Sequence, residues 1–151
     1  RFKDIYLGGG AFIGGTGTAN KLDDYEEGTW SPSFNFSETA GFSGSITISN
    51  ATYTKIGNFV SLNVQFGFSA SSGTLAVGDK IRVNGGIPFA QKSSGSYGGT
   101  GGAFAYNANN SAGVTIQPMS DNGFRAFITA IHGSMNRNGG AMQITFNYQT
   151  T

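Results

Sequence analysis

The sequence contains no cysteine, which excludes disulfide scaffolds, thiol nucleophiles and cysteine-bound metals. It is also poor in charge. Only 11% of its 151 residues are Asp, Glu, Lys or Arg, and nine cations against eight acids leave a formal net charge of +1. Nucleic-acid binding through bulk positive charge is therefore not expected, nor is a basic membrane-surface role. No apolar run approaches the roughly 18 residues of a transmembrane helix, so membrane insertion is not expected either. Good helix formers are scarce, with four Leu and three Glu. Histidine occurs once, at His132, and no Gly-x-Ser-x-Gly elbow accompanies it, so no Ser-His-Asp triad can be assembled.

Glycine, small polar residues and aromatics are abundant instead. Gly occurs 25 times, more than twice its usual share of about 7%. Gly, Ser, Thr and Asn together account for 68 residues, and there are 13 Phe and 11 Ile. β-branched and aromatic residues favour pleated strands, and the small residues favour turns. At 38% hydrophobic and 13% aromatic the chain can bury a core, and disorder is not expected. These features predict an all-β protein.

The first 28 residues differ from the rest. Ile5-Tyr6-Leu7 and Ala11-Phe12-Ile13 are short apolar pieces separated by glycines, too short to bury a face alone. The opening has no initiator Met and no signal region, and reads as the continuation of a longer chain. Asp23, Asp24, Glu26 and Glu27 then place four of the eight acids within five positions, just before the only Trp, Trp30. From Trp30 onward the period is two. Val60, Leu62, Val64, Phe66 and Phe68 alternate with polar or small residues, as do Met142, Ile144, Phe146 and Tyr148. Shorter strands are expected at 51–55, 80–83, 103–106, 114–117 and 124–132. A tight turn is expected at Ile56-Gly57-Asn58-Phe59, and a low-complexity loop at 92–102. The spacing predicts an antiparallel β-sandwich, jelly-roll-like, over residues 29–151, preceded by a shaft end and neck over 1–28.

Three stretches carry a resemblance. They are Arg1-Phe2-Lys3-Asp4-Ile5-Tyr6-Leu7 with residues 12–30, then Tyr53-Thr54-Lys55-Ile56-Gly57-Asn58, then Gly86-Ile87-Pro88-Phe89. In order and spacing, residues 1–90 resemble the C-terminal region of bacteriophage tail fibres and tail spikes, where the shaft passes into the tip. Residues 91–151 match only in style. The resemblance implies a homotrimeric tip at the distal end of the tail fibre of a virion. It would join an upstream fibre shaft and bind a bacterial surface receptor, either a glycan or an outer-membrane protein. It carries over no enzyme activity.

The residues themselves suggest where binding occurs. Tyr97 lies at the centre of the Gly/Ser-rich loop, and tyrosine offers a rigid apolar face with a hydroxyl, suited to binding loops. Tyr106, Asn107, Asn109 and Asn110 repeat that chemistry. His132 precedes a polar stretch containing Asn136, Arg137 and Asn138. These nine residues are the candidate receptor contacts; the alternative for the Gly/Ser-rich loop is a flexible linker, and for the stretch after His132 an exposed turn with no role. Clustered carboxylates suit hard cations, but the acidic stretch lacks the spacing of a calcium loop. It is read as a solvated neck pairing with Lys21, Lys3 or Arg1, with no metal and no cofactor. A glycosidase pair needs two carboxyls around a cleft, and past Asp4 the only acids outside this stretch are Glu38, Asp79 and Asp121. No catalytic residue is assigned, and Trp30 is read as packing. The function expected is therefore non-enzymatic host adhesion. The alternatives are a structural trimerisation module, a free-standing carbohydrate-binding module and, weakest, a polysaccharide-degrading spike.

Overall fold

A computed structural model describes residues 3–18, 21–22, 24–35, 43–72, 76–92, 99–107, 110–119, 123–132 and 140–150. Among these the chain is all-β, with eleven strands, no α-helix and only antiparallel pairings. β1 (Ala11–Phe12) and β2 (Lys21–Leu22) form a small ladder of their own. The other nine are β3 (Tyr25–Thr29), β4 (Ser33–Asn35), β5 (Ser43–Ile56), β6 (Phe59–Ser72), β7 (Lys80–Gly85), β8 (Gly99–Asn107), β9 (Asn110–Pro118), β10 (Phe124–His132) and β11 (Gly140–Gln149). They make one sheet in the order β3-β5-β6-β11-β8-β9-β10-β7-β4.

The two strands with the clearest alternation lie side by side near the centre of the core. Val60, Leu62, Val64, Phe66 and Phe68 of β6 are buried, and in register beside them Tyr148, Phe146, Ile144 and Met142 of β11 are buried too. Each such side chain gains about 1.5–3 kcal/mol by leaving water. Ile81 and Val83 of β7 and Phe124, Ala126 and Ile128 of β10 complete the interior. The Phe124 and Phe146 rings meet with centroids 4.6 Å apart.

The sheet is curled on itself. Laid flat, β4 and β6 would stand six strand spacings apart, about 29 Å. Yet the Phe34 and Phe66 ring centroids are 4.4 Å apart. The two edge strands, β3 and β4, are joined by only Trp30, Ser31 and Pro32, which span about 15 Å at most. Trp30 holds this junction in place. Its backbone N–H donates to the Ala51 carbonyl at 3.2 Å, its indole N–H donates to the Asn63 carbonyl at 3.2 Å, and its ring is buried. The packing role read for Trp30 is the one it has. Strands β11-β8-β9-β10 follow Greek-key order, three hairpin-linked strands with the fourth returning beside the first.

Three details depart from the sequence reading. Residues 99–102, assigned to the loop, belong to β8 and pair with Thr145–Tyr148 of β11. Gly99, Thr100, Gly101 and Gly102 carry no apolar pattern, so only the partner strand reveals them. The strand expected at 51–55 begins instead at Ser43, because a bulge between Ile48 and Asn50 breaks the alternation ahead of it. Finally, the main sheet starts at Tyr25, so the last four residues of the expected neck pair with β5.

Candidate functional site

The pairing register gathers some of the candidate contacts and separates others. Tyr106 of β8 stands opposite Ser111 of β9, and His132 of β10 stands opposite the same Ser111. On its other side Tyr106 pairs with Ala141 of β11, which pairs with Gly67 of β6. Tyr106, Ser111 and His132 thus share one row, with about 10 Å of backbone between the outer two. Asn107 and Asn110 form the last pair of the β8–β9 hairpin, one step beyond that row. Four candidates from three strands therefore collect at one end of the sheet. In sequence His132 is more than twenty residues from the other three, and no local signal foretells that they share one end of the sheet.

Tyr97, Asn109, Asn136, Arg137 and Asn138 lie outside the described residues. The bracketing residues still locate the ends of their segments. His132 and Gly140, which flank 133–139, both stand at the end that holds Tyr106. Lys92 and Gly99, which flank 93–98, stand at the other end. The Lys92 N–H donates to the Gln149 carbonyl at 2.7 Å, and Gly99 pairs with Tyr148. Tyr148 and Ala141 are seven steps apart on β11, about 23 Å. Lys92 and Gly99 therefore stand well away from the row of Tyr106 and His132.

The N-terminal segment joins the sheet at the Lys92 end. Tyr25 opens β3 opposite Ile56, which pairs with Phe59 across the β5–β6 turn, and Phe59 pairs with Gln149. Gly57 takes φ +57° in that turn, a left-handed conformation that suits glycine. From Phe59 to Gly67, the β6 residue in the Tyr106 row, is eight steps or about 26 Å. The chain thus comes in at one pole of the sheet, and the gathered candidates stand at the opposite pole.

The acidic stretch is built differently from its sequence reading. Asp24 accepts an ion-paired hydrogen bond from Lys55, which is buried on β5 and was not among the partners expected. Lys55 Nζ also lies 5.6 Å from the centre of the Phe89 ring. The Tyr53 hydroxyl donates to Glu26 at 2.6 Å, and the Tyr25 hydroxyl donates to Glu27 at 2.7 Å. These bonds hold both phenols above the ordinary tyrosine value, with the glutamate hydrogen bond as the main cause in each. Strand alternation sends Glu26 to the face of Lys55 and Tyr53, and Glu27 to the other face with Tyr25. Among the described residues no three His, Cys, Asp or Glu side chains group to hold a metal ion.

The sequence reading passed over a set of cations. Arg82 of β7 pairs directly with Arg125 of β10, and Lys80 lies two residues from Arg82 on the same face. The alternation Lys80-Ile81-Arg82-Val83 already signals the shared face of Lys80 and Arg82. The Arg125 pairing could not be read without the register.

The chain matches no protein-family model, no curated protein and no solved structure.

Proposed function

We propose that this chain is the receptor-binding tip of a bacteriophage tail fibre. It acts without catalysis, as a homotrimer whose tip is a jelly-roll-like sandwich, and it attaches the virion to a glycan or protein of the bacterial surface. The observation that carries the reading is polarity. The residues resembling the end of a fibre shaft run into the pole marked by Tyr25 and Ile56. Tyr106, Asn107, Asn110 and His132 converge at the far pole, where an incoming surface would first be met. The tyrosine and amide chemistry of that pole suits sugar hydroxyls and polar peptide groups alike. Three such poles side by side would convert weak single contacts into firm adhesion by raising effective concentration.

The test is adsorption of fluorescently labelled chain to a panel of bacterial strains. Specific binding to some strains, blocked by unlabelled chain and reduced at least tenfold by Tyr106→Ala with His132→Ala, is the expected result. Failure to bind any strain overturns it. A second reading, a module that mainly registers and assembles three chains, is favoured by the apolar arm ahead of β3. There Tyr6 is 91% exposed, and Ile5, Leu7, Phe12 and Ile13 are exposed as well. Under that reading the same double variant adsorbs normally with the rest of the fibre, and removing the sheet abolishes soluble trimer.

A further inference from the structure

We infer that the outer-face row Tyr25, Ile56 and Phe59 seats the apolar N-terminal arm of a second copy of this chain, so that neighbouring copies are joined arm to row. The three residues pair directly across β3, β5 and β6 and so share one face. That face is the outer one, because Lys55 and Val60, next to them in the chain, are buried on the other. The row is about 10 Å across. Tyr25 is 56% exposed, Ile56 48% and Phe59 46%. Among the described residues eleven large hydrophobics are exposed, and six more of them lie on the arm, from Ile5 to Leu22. Of the eleven, Ile48 and Val77 alone lie elsewhere. Scattered exposed apolar residues are ordinary, whereas a gathering of this kind marks an interaction surface.

The arm is rooted beside the row. The Gly57 N–H, in the turn between Ile56 and Phe59, donates to the Asp24 carbonyl at 2.8 Å, and Leu22 precedes Asp24 by two residues. The chain's own arm does not cover the row, since arm and row are both exposed in the single chain. A second copy supplies both halves of the contact, because each chain carries one arm and one row. Residues 5–11 alone span about 20 Å when extended, enough to cross a neighbour's row. At roughly 100–150 Å² each, the nine residues of arm and row leave on the order of 1,000 Å² open per chain. A standard interface takes about 800 Å² from each partner. Charge agrees with this pairing. Glu27 shares the face of Tyr25, and it is the one charged residue in that row and the next, which runs Glu27, Thr54, Ser61, Asn147. The arm carries Lys3, Asp4 and Lys21, a net positive charge to meet that acid. A contact between unlike surfaces is heterologous, and repeated about an axis it closes a ring.

The inference rests on the trimeric reading only for the number of copies. The test is light scattering on the full chain and its variants, with far-ultraviolet spectra to check that each keeps its β signature. The parent should be an oligomer. Ile56→Glu with Phe59→Glu, the row variant, should fall to the 15.7 kDa of a single chain, and so should Ile5→Glu with Leu7→Glu, the arm variant. Ile48→Glu with Val77→Glu should keep the parent mass. Mixing the row and arm variants then separates arm-to-row contact from every other kind. The row variant keeps a good arm and the arm variant a good row, so the mixture should form a species of twice the single-chain mass. Arms that meet arms, or rows that meet rows, restore nothing on mixing. If the row variant loses its β signature, Ile56→Ser with Phe59→Ser takes its place. A row variant with the parent mass, or a mixture that stays at the single-chain mass, overturns the inference and leaves the trimeric reading standing. A parent of two chains, with the mixture behaving as expected, supports the arm-to-row contact and overturns the trimer. A parent that is a single chain at every concentration overturns both. If that parent binds phosphatidylcholine vesicles and the row variant does not, the row's occupant is a lipid surface. Adsorption to bacteria is read separately and bears on neither outcome.

Discussion

Gly86 follows β7 with φ +77°, and a Cβ added there would lie 1.7 Å from the Ser31 carbonyl oxygen. Both the backbone conformation and the contact exclude a side chain. Gly86→Ala should cost at least about 2 kcal/mol, seen as a lower midpoint in chemical denaturation with an unchanged slope. The stretch Gly86-Ile87-Pro88-Phe89 was visible in the sequence only through its resemblance. The contact with Ser31 was not, because it needs β4 to lie beside β7. Tyr148 gives a second prediction at this scale. Its hydroxyl donates to the Phe89 carbonyl at 3.0 Å inside the core, and burial pushes its phenol well above the ordinary tyrosine value. Tyr25 and Tyr53 shift the same way. A raised folded value means the unfolded chain loses these protons first. Stability should hold below about pH 10 and fall as pH rises past it. Tyr148→Phe should flatten that alkaline fall in pH-dependent melting. It should also cost about 1 kcal/mol at neutral pH through the lost hydrogen bond.

Among the elements, β6 and β11 were the most legible, since ten residues of strict alternation leave little choice of face. β8 was the least legible in its first half, where glycines face the bulky residues of β11 and carry no pattern of their own. The edge strand β3 was hidden for another reason. Its sequence, Tyr-Glu-Glu-Gly-Thr, is too polar to suggest a strand, and it is held through Lys55 to Asp24 and Tyr53 to Glu26 rather than by apolar burial. Lys55→Met should therefore loosen β3 more than the rest of the sheet. Faster amide exchange confined to 25–29, with a global loss of about 1 kcal/mol, is the expected outcome. Trp30→Ala should act on the whole sheet instead. It removes a large buried ring at the junction of the two edges, and about 3–5 kcal/mol of stability should go with it in equilibrium unfolding.

At the scale of the whole molecule, the all-β antiparallel class followed from composition and period two. The row shared by Tyr106 and His132 did not, because it depends on the registers of the two hairpins that join β8, β9 and β10, nor did the pairing of Arg82 with Arg125, because it needs β7 and β10, far apart in sequence, to be neighbours in the sheet. The exposed arm is where the molecule makes its strongest prediction about assembly. Light scattering should give three times the 15.7 kDa chain mass, about 47 kDa. Removing residues 1–22 should shift the mass toward the single chain while the far-ultraviolet spectrum keeps its β signature. An intact chain that stays at 15.7 kDa would count against a trimeric tip.

The way β3 joins the sheet also bears on mechanical load. Its five residues pair with Thr52–Ile56, and the chain ahead of Tyr25 leaves from the pole opposite Tyr106 and His132. Hydrogen bonds of an antiparallel ladder lie across the strands. If one pole is held and the leading chain is pulled away from the other, the force runs along β3 and strains all its pairs with β5 together, in shear. A sideways pull would instead open the pairs one after another, as a zipper does. The joint between β3 and β5 is thus strongest when the leading chain is pulled along the line between the two poles.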